Sequence, residues 1–271
     1  MTHDIAGFLS TAWDAANAAG EIIRAGWLQP KTIDYKGAID LVTSVDKECE
    51  RKIVATIQDT FPDHSILAEE ETELEGTRRE YRWIIDPLDG TTNFAHGYPQ
   101  FCVSIALEHG DQVIAGLVYD PLRRECFRAV IGQGATLNGK PILTSQVNEL
   151  DQALLATGFP YDRREHADFY LSFFKGFLTR CQGIRRNGSA ALDLCYVACG
   201  RLDGFWELKL KPWDIAAGAL IVAEAGGKLS KFSGAPLLIW DNEILASNGI
   251  IHGEMVHVAD NASAAKSLTQ F

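Results

Sequence analysis

Carboxylates placed where apolar runs stop constrain this 271-residue chain more than any other feature of its sequence. Four segments carry them. Asp46 ends Asp40-Leu41-Val42-Thr43-Ser44-Val45-Asp46, and Glu69 opens the acidic run after Ala68. Asp86 and Asp89 lie in Trp83-Ile84-Ile85-Asp86-Pro87-Leu88-Asp89-Gly90-Thr91-Thr92, and Asp214 follows Pro212-Trp213. In the third segment a β-rich run delivers Asp86 to the carboxyl end of a strand, where ligands of open sheets gather. Pro87 fixes φ and turns the chain, so that Asp89 follows after one turn. Gly90-Thr91-Thr92-Asn93 then offers backbone N–H groups at a predicted helix start, an arrangement that binds phosphate.

Carboxylates brought together repel one another and tend to hold protons. A bound cation removes that cost, and an oxygen-only donor set selects hard cations, Mg²⁺ above all. Two or more such ions lower the pKa of a bound water and clamp attacking and leaving oxygens. The pattern therefore predicts metal-assisted hydrolysis of a phosphate ester. Each segment alone is ordinary: a turn, a solvated acidic loop, an N-cap. Their joint placement at strand ends and helix starts points to a site. Two other arrangements do not fit. A nucleophilic Asp-x-Asp-x-Thr motif has one residue between its carboxylates, whereas Asp86 and Asp89 have two between them. A calcium loop carries ligands at alternate positions within about twelve residues, and no segment here does.

Composition narrows the rest. With 25 Lys plus Arg against 36 Asp plus Glu, the net charge is −11. Apolar residues at 46% and charged residues at 23% exclude a disordered chain and fit one large or two modest globular domains. The acidic balance argues against direct nucleic-acid binding. Met1–Ser10 lacks a signal-peptide pattern, and no apolar run reaches the roughly 18 residues that cross a bilayer. Six cysteines without CxxC spacing sit in apolar stretches, as buried thiols in a reducing cytoplasm would.

Periodicity predicts an amphipathic first helix from Ile5 to Ile23, a strand or loop at Lys31–Lys36, and a helix from Thr43 or Ser44 to Phe61 before Pro62. Strands are expected at Ser65–Ala68, Arg82–Ile85, Phe101–Leu107, Val113–Tyr119 and Glu125–Val130, with turns at Gly110-Asp111 and Asn138-Gly139. The first half, 1–145, reads as an α+β unit with an antiparallel sheet and most of the acidic residues. The second, 146–271, reads as an alternating α/β unit that contributes Asp214. Its expected elements are strands at Leu154–Thr157, Ile184–Arg186, Gly204–Glu207 and Glu243–Ser247, and helices at Arg164–Arg180, Ser189–Cys199 and Asp214–Ala225.

The segment Trp83–Phe94 resembles the first signature of the inositol monophosphatase family, and Trp213-Asp214-Ile215-Ala216-Ala217-Gly218 with Glu224-Ala225-Gly226-Gly227 resembles its second. Asp40–Thr43, Asp46 and the loop at Glu69 fit in order and spacing. The resemblance implies an α-β-α-β-α sandwich and a lithium-sensitive, Mg²⁺-dependent phosphomonoesterase of the cytoplasm, usually a homodimer. It would use two to three ions and attack inositol monophosphate in line with a metal-activated water. Carried onto this chain, Glu69, Asp86 and the Leu88 carbonyl would hold one ion, and Asp86, Asp89 and Asp214 a second. Glu69 would also contact a third. Thr91 with Asp46 behind it would orient and deprotonate the water. Gly90 and Thr91 amides would cradle phosphate, with Lys36 nearby. Asp89, the Ala190 backbone and Glu207 would meet the polyol.

The chain departs from the animal pattern at Gly158-Phe159-Pro160-Tyr161-Asp162, and it carries Arg185, Arg186, Lys209 and Lys211 near the implied site. The Arg pair could reach a second phosphate or an interface, or be solvated. Fructose 1,6-bisphosphate, histidinol phosphate, NADP and adenosine 3′,5′-bisphosphate are the alternative substrates. A regulatory role with the transcription machinery is an additional reading.

Overall fold

The computed structural model describes residues 5–29, 33–35 and 41–267. Helix α1 (Ile5–Gly26) is followed by β1 (Ile33–Tyr35), β2 (Leu41–Thr43) and α2 (Ser44–Thr60). Next come β3 (His64–Ala68), β4 (Glu73–Leu74), β5 (Arg78–Asp89), the short α3 (Thr91–Ala95), β6 (Cys102–His109), β7 (Gln112–Asp120), β8 (Glu125–Val130), β9 (Ala135–Leu137) and β10 (Lys140–Ile142). The remainder holds β11 (Leu154–Thr157), α4 (Ala167–Leu178), β12 (Gly183–Arg185), α5 (Ala190–Ala198), β13 (Gly204–Leu208), α6 (Pro212–Glu224), β14 (Lys228–Ser230), β15 (Glu243–Ser247) and α7 (His252–Ser267).

Two sheets dominate. The larger runs β10-β9-β8-β7-β6-β5-β3-β4, and the smaller runs β12-β11-β13-β15-β14. Helices α1 and α2 cover one face of the larger sheet, where Ala15, Ala16, Ala19 and Ile23 of α1 meet Cys49, Ile53 and Ile57 of α2 over Trp83, Ile85 and Leu117. Helices α5 and α6 fill the space between the sheets. Helices α4 and α7 pack together, with α4 beside β12 and α7 beside β15, around the core of Phe173, Phe177, Trp206 and Met255. The result is the expected five-layer α-β-α-β-α sandwich. No helix among the described residues is long and apolar enough to cross a membrane.

Most predicted elements are present, and the differences have physical causes. Strand β5 does not stop at Ile85. It runs through Pro87 to Asp89, because a register shift between Asp86 and Asp89 accommodates the proline as a bulge rather than a turn. The first-half sheet is not wholly antiparallel, since β3 pairs with β5 in parallel. The second sheet is mixed: β12-β11-β13 are parallel and β13-β15-β14 antiparallel. Helix α4 starts at Ala167 rather than Arg164, after a turn in which His166 donates to the Asp162 carbonyl. Helix α6 starts at Pro212, the position where a missing N–H is harmless. Helix α7 was not anticipated. Its buried Met255, Val258 and Ala259, with Ile251 just before the helix, form a narrow apolar stripe beneath polar neighbours.

Helix α6 is apolar all round, from Ile215 through Val222, as a helix sandwiched between two sheets must be. Its approach to the larger sheet needs a residue without a side chain. A Cβ at Gly116 of β7 would lie 3.0 Å from the backbone of Ala217. Gly116→Val should therefore lower stability by about 1–3 kcal/mol through overpacking. Thermal unfolding reads this directly, and an unchanged midpoint would contradict the packing. A second outcome concerns acid. His252 lies within 2.8 Å of Ser247 Oγ and 2.9 Å of Ser230 Oγ, and burial pushes its pKa down to about 4 from 6.5. The unfolded chain thus binds the proton first, so this stability is present above pH 6.5 and is lost as pH falls toward 4. The stability gap between wild type and His252→Gln should narrow over that interval in denaturant titrations.

Candidate active site

Parallel pairing of β3 with β5 sets Glu69 beside Asp86. The register places Ala68 against Ile85, and the Glu69 amide donates to the Ile85 carbonyl at 3.1 Å. Both chains therefore emerge at the same sheet edge. Across the bulge Asp86 faces Ser104 and Asp89 faces Cys102, so three steps on β5 match two on β6. The extra residue lets Asp86, Leu88 and Asp89 all stay buried at this edge.

Each carboxylate is held by one oxygen. Asp86 Oδ1 accepts from the Leu88 amide at 2.9 Å. Asp89 Oδ2 accepts from Ser189 Oγ at 2.7 Å and the Ala191 amide at 2.8 Å, with Cys102 Sγ at 3.8 Å. Asp89 thus sits on the positive end of α5, although it comes from the other half of the chain. Asp214 is the third residue of α6, and its Oδ2 accepts from the Lys211 amide at 2.6 Å. The second oxygens of Asp86 and Asp214 have no hydrogen-bond donor among the described residues.

Electrostatics follow from this crowding. Burial first, then the charges of Glu69, Asp89 and Asp214, push Asp86 well above the usual carboxylate range. Asp214 is raised by burial and by Glu69 and Asp89. Asp89 is pushed up to about 6 by burial, even against its donors. Among the described residues no three His, Cys, Asp or Glu side chains already converge on one ion position. The donor set nevertheless fits hard cations: four carboxylates, oxygen only, mutually repelling, two of them with an oxygen to spare.

A second group stands beside them. Thr43 caps α2, and Asp46 completes the capping box by accepting from the Thr43 amide at 2.9 Å and from its hydroxyl. The other oxygen, Oδ1, lies 2.8 Å from Thr91 Oγ1, which is also 3.0 Å from the Leu88 carbonyl. A hydroxyl has one proton, and the carboxylate is the stronger acceptor. Donation to Asp46 leaves the Thr91 lone pairs to accept from a third party. Burial raises the Asp46 pKa. Gly90 caps α3 at φ 97°, and a Cβ there would lie 2.8 Å from the Gln100 carbonyl, so only glycine fits. The first amides of α3 have no helical partners.

Glu207 reaches the same region from β13. Burial lifts its pKa well above the usual range, Arg186 opposes this, and Asp214, Asp193 and Asp89 add to it. A Cβ at Gly158 would lie 2.0 Å from Glu207 Oε1, so that glycine makes room for the carboxylate. Ala190 opens α5 next to Asp89 and adds its amide to the donors there. Lys36 lies outside the described residues. Arg186 is exposed, its guanidinium 6.0 Å from the Phe159 ring centroid. Arg185 is also exposed, and Lys209 pairs with Asp162.

Several functional neighbours escaped the sequence reading. Asn93 donates to the carbonyls of Gln100 at 2.7 Å and Asn187 at 2.8 Å, which ties α3 to the loop before α5. Asp193, pushed up to about 8 by burial, accepts from Asn187 at 2.6 Å. Glu50 is a buried acid on the inward face of α2. Its place among Cys49, Ile53 and Ile57 was the available signal, since an acid there must have partners.

A model of the Inositol monophosphatase family matches residues 4–264. The inositol-1-monophosphatase of Synechocystis is 49% identical over 253 residues, 93% of this chain and 88% of that protein. The Nus factor SuhB of Escherichia coli K12 is 44% identical over 260 residues, 95% of this chain and 97% of that one. An inositol monophosphatase structure from Anabaena superposes with a TM-score of 0.87 at 44% identity, covering 96% of this chain and 97% of its own. The Bartonella henselae extragenic suppressor protein suhB gives 0.90 at 37%, covering 93% and 98%.

Because like charges are buried together, removing one should stabilise the cation-free protein. Asp86→Asn is expected to unfold at a higher temperature than wild type in EDTA. It should also lose most of the Mg²⁺-induced rise expected of wild type. Equal midpoints with an equal Mg²⁺ response would contradict the repulsion.

Proposed function

The chain belongs to the inositol monophosphatase family and is a phosphatase, and from that premise we propose that it hydrolyses inositol monophosphate with the help of two to three Mg²⁺ ions. The observation that carries this reading is the set of four crowded carboxylates facing the Asp46–Thr91 pair. Glu69, Asp86 and the Leu88 carbonyl would hold one ion, and Asp86, Asp89 and Asp214 a second, with Glu69 shared with a third. When bound, the ions supply a lowered water pKa and positive charge for the phosphate and the leaving oxygen.

The chain's own groups do the rest. Thr91 Oγ1, its proton directed to Asp46, accepts from the attacking water and fixes its direction. Asp46, buried and raised, takes up the proton through Thr91. Gly90 and Thr91 amides, at a backbone corner that only glycine can form, meet the phosphate oxygens. By the family resemblance Lys36, which lies outside the described residues, would add positive charge for the phosphate. Asp89 and Glu207 accept hydrogen bonds from hydroxyls of the polyol, and the Ala190 backbone lies beside them. Glu207 offers a second phosphate no cationic partner, which favours inositol monophosphate over a bisphosphate; Arg186 is the residue that would favour the alternative. A cytoplasmic homodimer belongs to the same proposal.

A relative bearing the name Nus factor covers nearly the whole chain. This supports a second, regulatory role beside hydrolysis. A pull-down with Asp89→Asn as bait tests it: transcription proteins recovered as with wild type would place that role apart from catalysis.

Phosphate release from inositol 1-phosphate, fructose 1,6-bisphosphate, histidinol phosphate, NADP and adenosine 3′,5′-bisphosphate ranks the substrates. Inositol 1-phosphate should give the highest kcat/KM. Asp89→Asn should lower its turnover on the order of 10³-fold with the fold retained. Glu207→Gln should cost about tenfold in kcat/KM for inositol 1-phosphate and less for substrates without a polyol hydroxyl there. Undiminished turnover in Asp89→Asn would refute the assignment of the site.

A further inference from the structure

Glu50 follows Asp46 by four residues on α2, so both carboxylates share one face of the helix. Like charges at that spacing destabilise a helix unless each is compensated. Both are buried, at 2% exposure for Glu50 and 0% for Asp46. Their donors are different. Asp46 is held by Thr43 and Thr91. Glu50 Oε2 accepts from the Glu70 amide at 2.8 Å, and its Oε1 accepts from the Glu71 amide at 2.9 Å and Thr72 Oγ1 at 2.7 Å.

Those three donors are the residues that directly follow Glu69. The near end of the same loop is fixed by the Glu69 amide on Ile85 O at 3.1 Å and the Ala68 amide on Thr72 O at 2.8 Å. The loop is therefore pinned to β5 at one end and to α2 at the other. Its exposed Glu71 pairs with Lys47 at 2.7 Å, a surface contact of little energetic weight. The charge-assisted bonds to Glu50 are the stronger restraint.

We propose that Glu50 is a positioning residue for cation binding, which fixes the acidic loop so that the Glu69 carboxylate stands opposite Asp86 before a cation arrives. One face of α2 then serves both ends of the site: Asp46 orients the hydroxyl that meets water, and Glu50 orients the loop that supplies a ligand. The inference rests on Glu69 as a metal ligand. Outer partners of ligand groups typically change metal affinity by about 10–100-fold. The helix holds Glu50 rigid, so losing it frees the loop and leaves the ordering to be done on binding.

The test uses the full chain with Mn²⁺ as probe. Binding is measured by titration calorimetry and electron paramagnetic resonance for wild type, Glu69→Gln, Glu50→Ala, Glu50→Gln and Glu48→Gln. Thermal unfolding in EDTA and phosphate release against Mg²⁺ concentration accompany it. Glu50→Ala should weaken Mn²⁺ binding by about 10–100-fold and raise the Mg²⁺ needed for half-maximal rate by a similar factor. The rate at saturating Mg²⁺ should stay within about threefold of wild type, since no group that meets substrate is touched. Glu50→Gln keeps an oxygen for Glu71 and Thr72 and should lose less. Glu48 is exposed on the same helix, so Glu48→Gln removes equal charge and should bind as wild type. Wild-type Mn²⁺ affinity in folded Glu50→Ala, or an equal loss in Glu48→Gln, overturns the proposal. Should Glu50→Ala fail to fold, unchanged affinity in Glu50→Gln overturns it. Glu69→Gln binding as tightly as wild type would overturn both this inference and the ligand reading beneath it.

Discussion

Repulsion among buried carboxylates is the constraint around which the rest of the structure is arranged. Glu69 and Asp86 emerge from two parallel strands at one sheet edge, Asp89 follows across a bulge, and Asp214 arrives on a helix from the second half of the chain. Without compensation such a cluster would hold protons or push the layers apart. The fold answers with local donors: the Leu88 amide for Asp86, the start of α5 for Asp89, the Lys211 amide for Asp214. None of these donors carries a full charge. The pKa values of the three aspartates accordingly remain raised. On the proposed function a divalent cation would supply what amides cannot, and the −11 net charge of the chain would then in part be the means of capturing an anionic ligand through it.

The architecture transmits that constraint outward. Asp214 is useful only if α6 lies tight against the larger sheet, and Gly116 allows that approach. Asp89 is useful only if α5 points its first turn at it, and Asn93 together with Asp193 holds the loop that precedes α5. Asp46 and Glu50 bring α2 into the same arrangement from the opposite layer. Three of the five layers thus converge on one edge. The acidic residues gathered there are therefore spread in sequence from Glu69 to Asp214.

Much of this was legible in the sequence. Carboxylates stood at the ends of apolar runs, glycine stood at the one corner with φ 97°, and Thr43 with Asp46 signalled a capped helix. The five-layer sandwich followed from the resemblance rather than from periodicity. Periodicity could not show that β3 and β5 run parallel, because strand direction depends on the long-range pairing. Nor could it show that Pro87 is absorbed as a bulge, since a proline after a strand is ordinarily read as a turn. The roles of Glu50 and Asp193 were hidden for a related reason, although the place of Glu50 on the apolar face of α2 marked it as a buried acid. A buried acid in a helix is recognised by its partners, and those partners lie 20 or more residues away for Glu50. Asp193 drew no notice because its partner Asn187 sits in a loop with no chemical signature.

A crystal of the protein soaked in Mn²⁺, with anomalous difference maps, shows whether the crowded carboxylates gather around cations. Peaks are expected within coordination distance of oxygens from Glu69, Asp86, Asp89 and Asp214, one of them also touching the Leu88 carbonyl. Mn²⁺ peaks elsewhere on the molecule, with these four carboxylates bare while the same protein hydrolyses inositol 1-phosphate, would contradict that expectation.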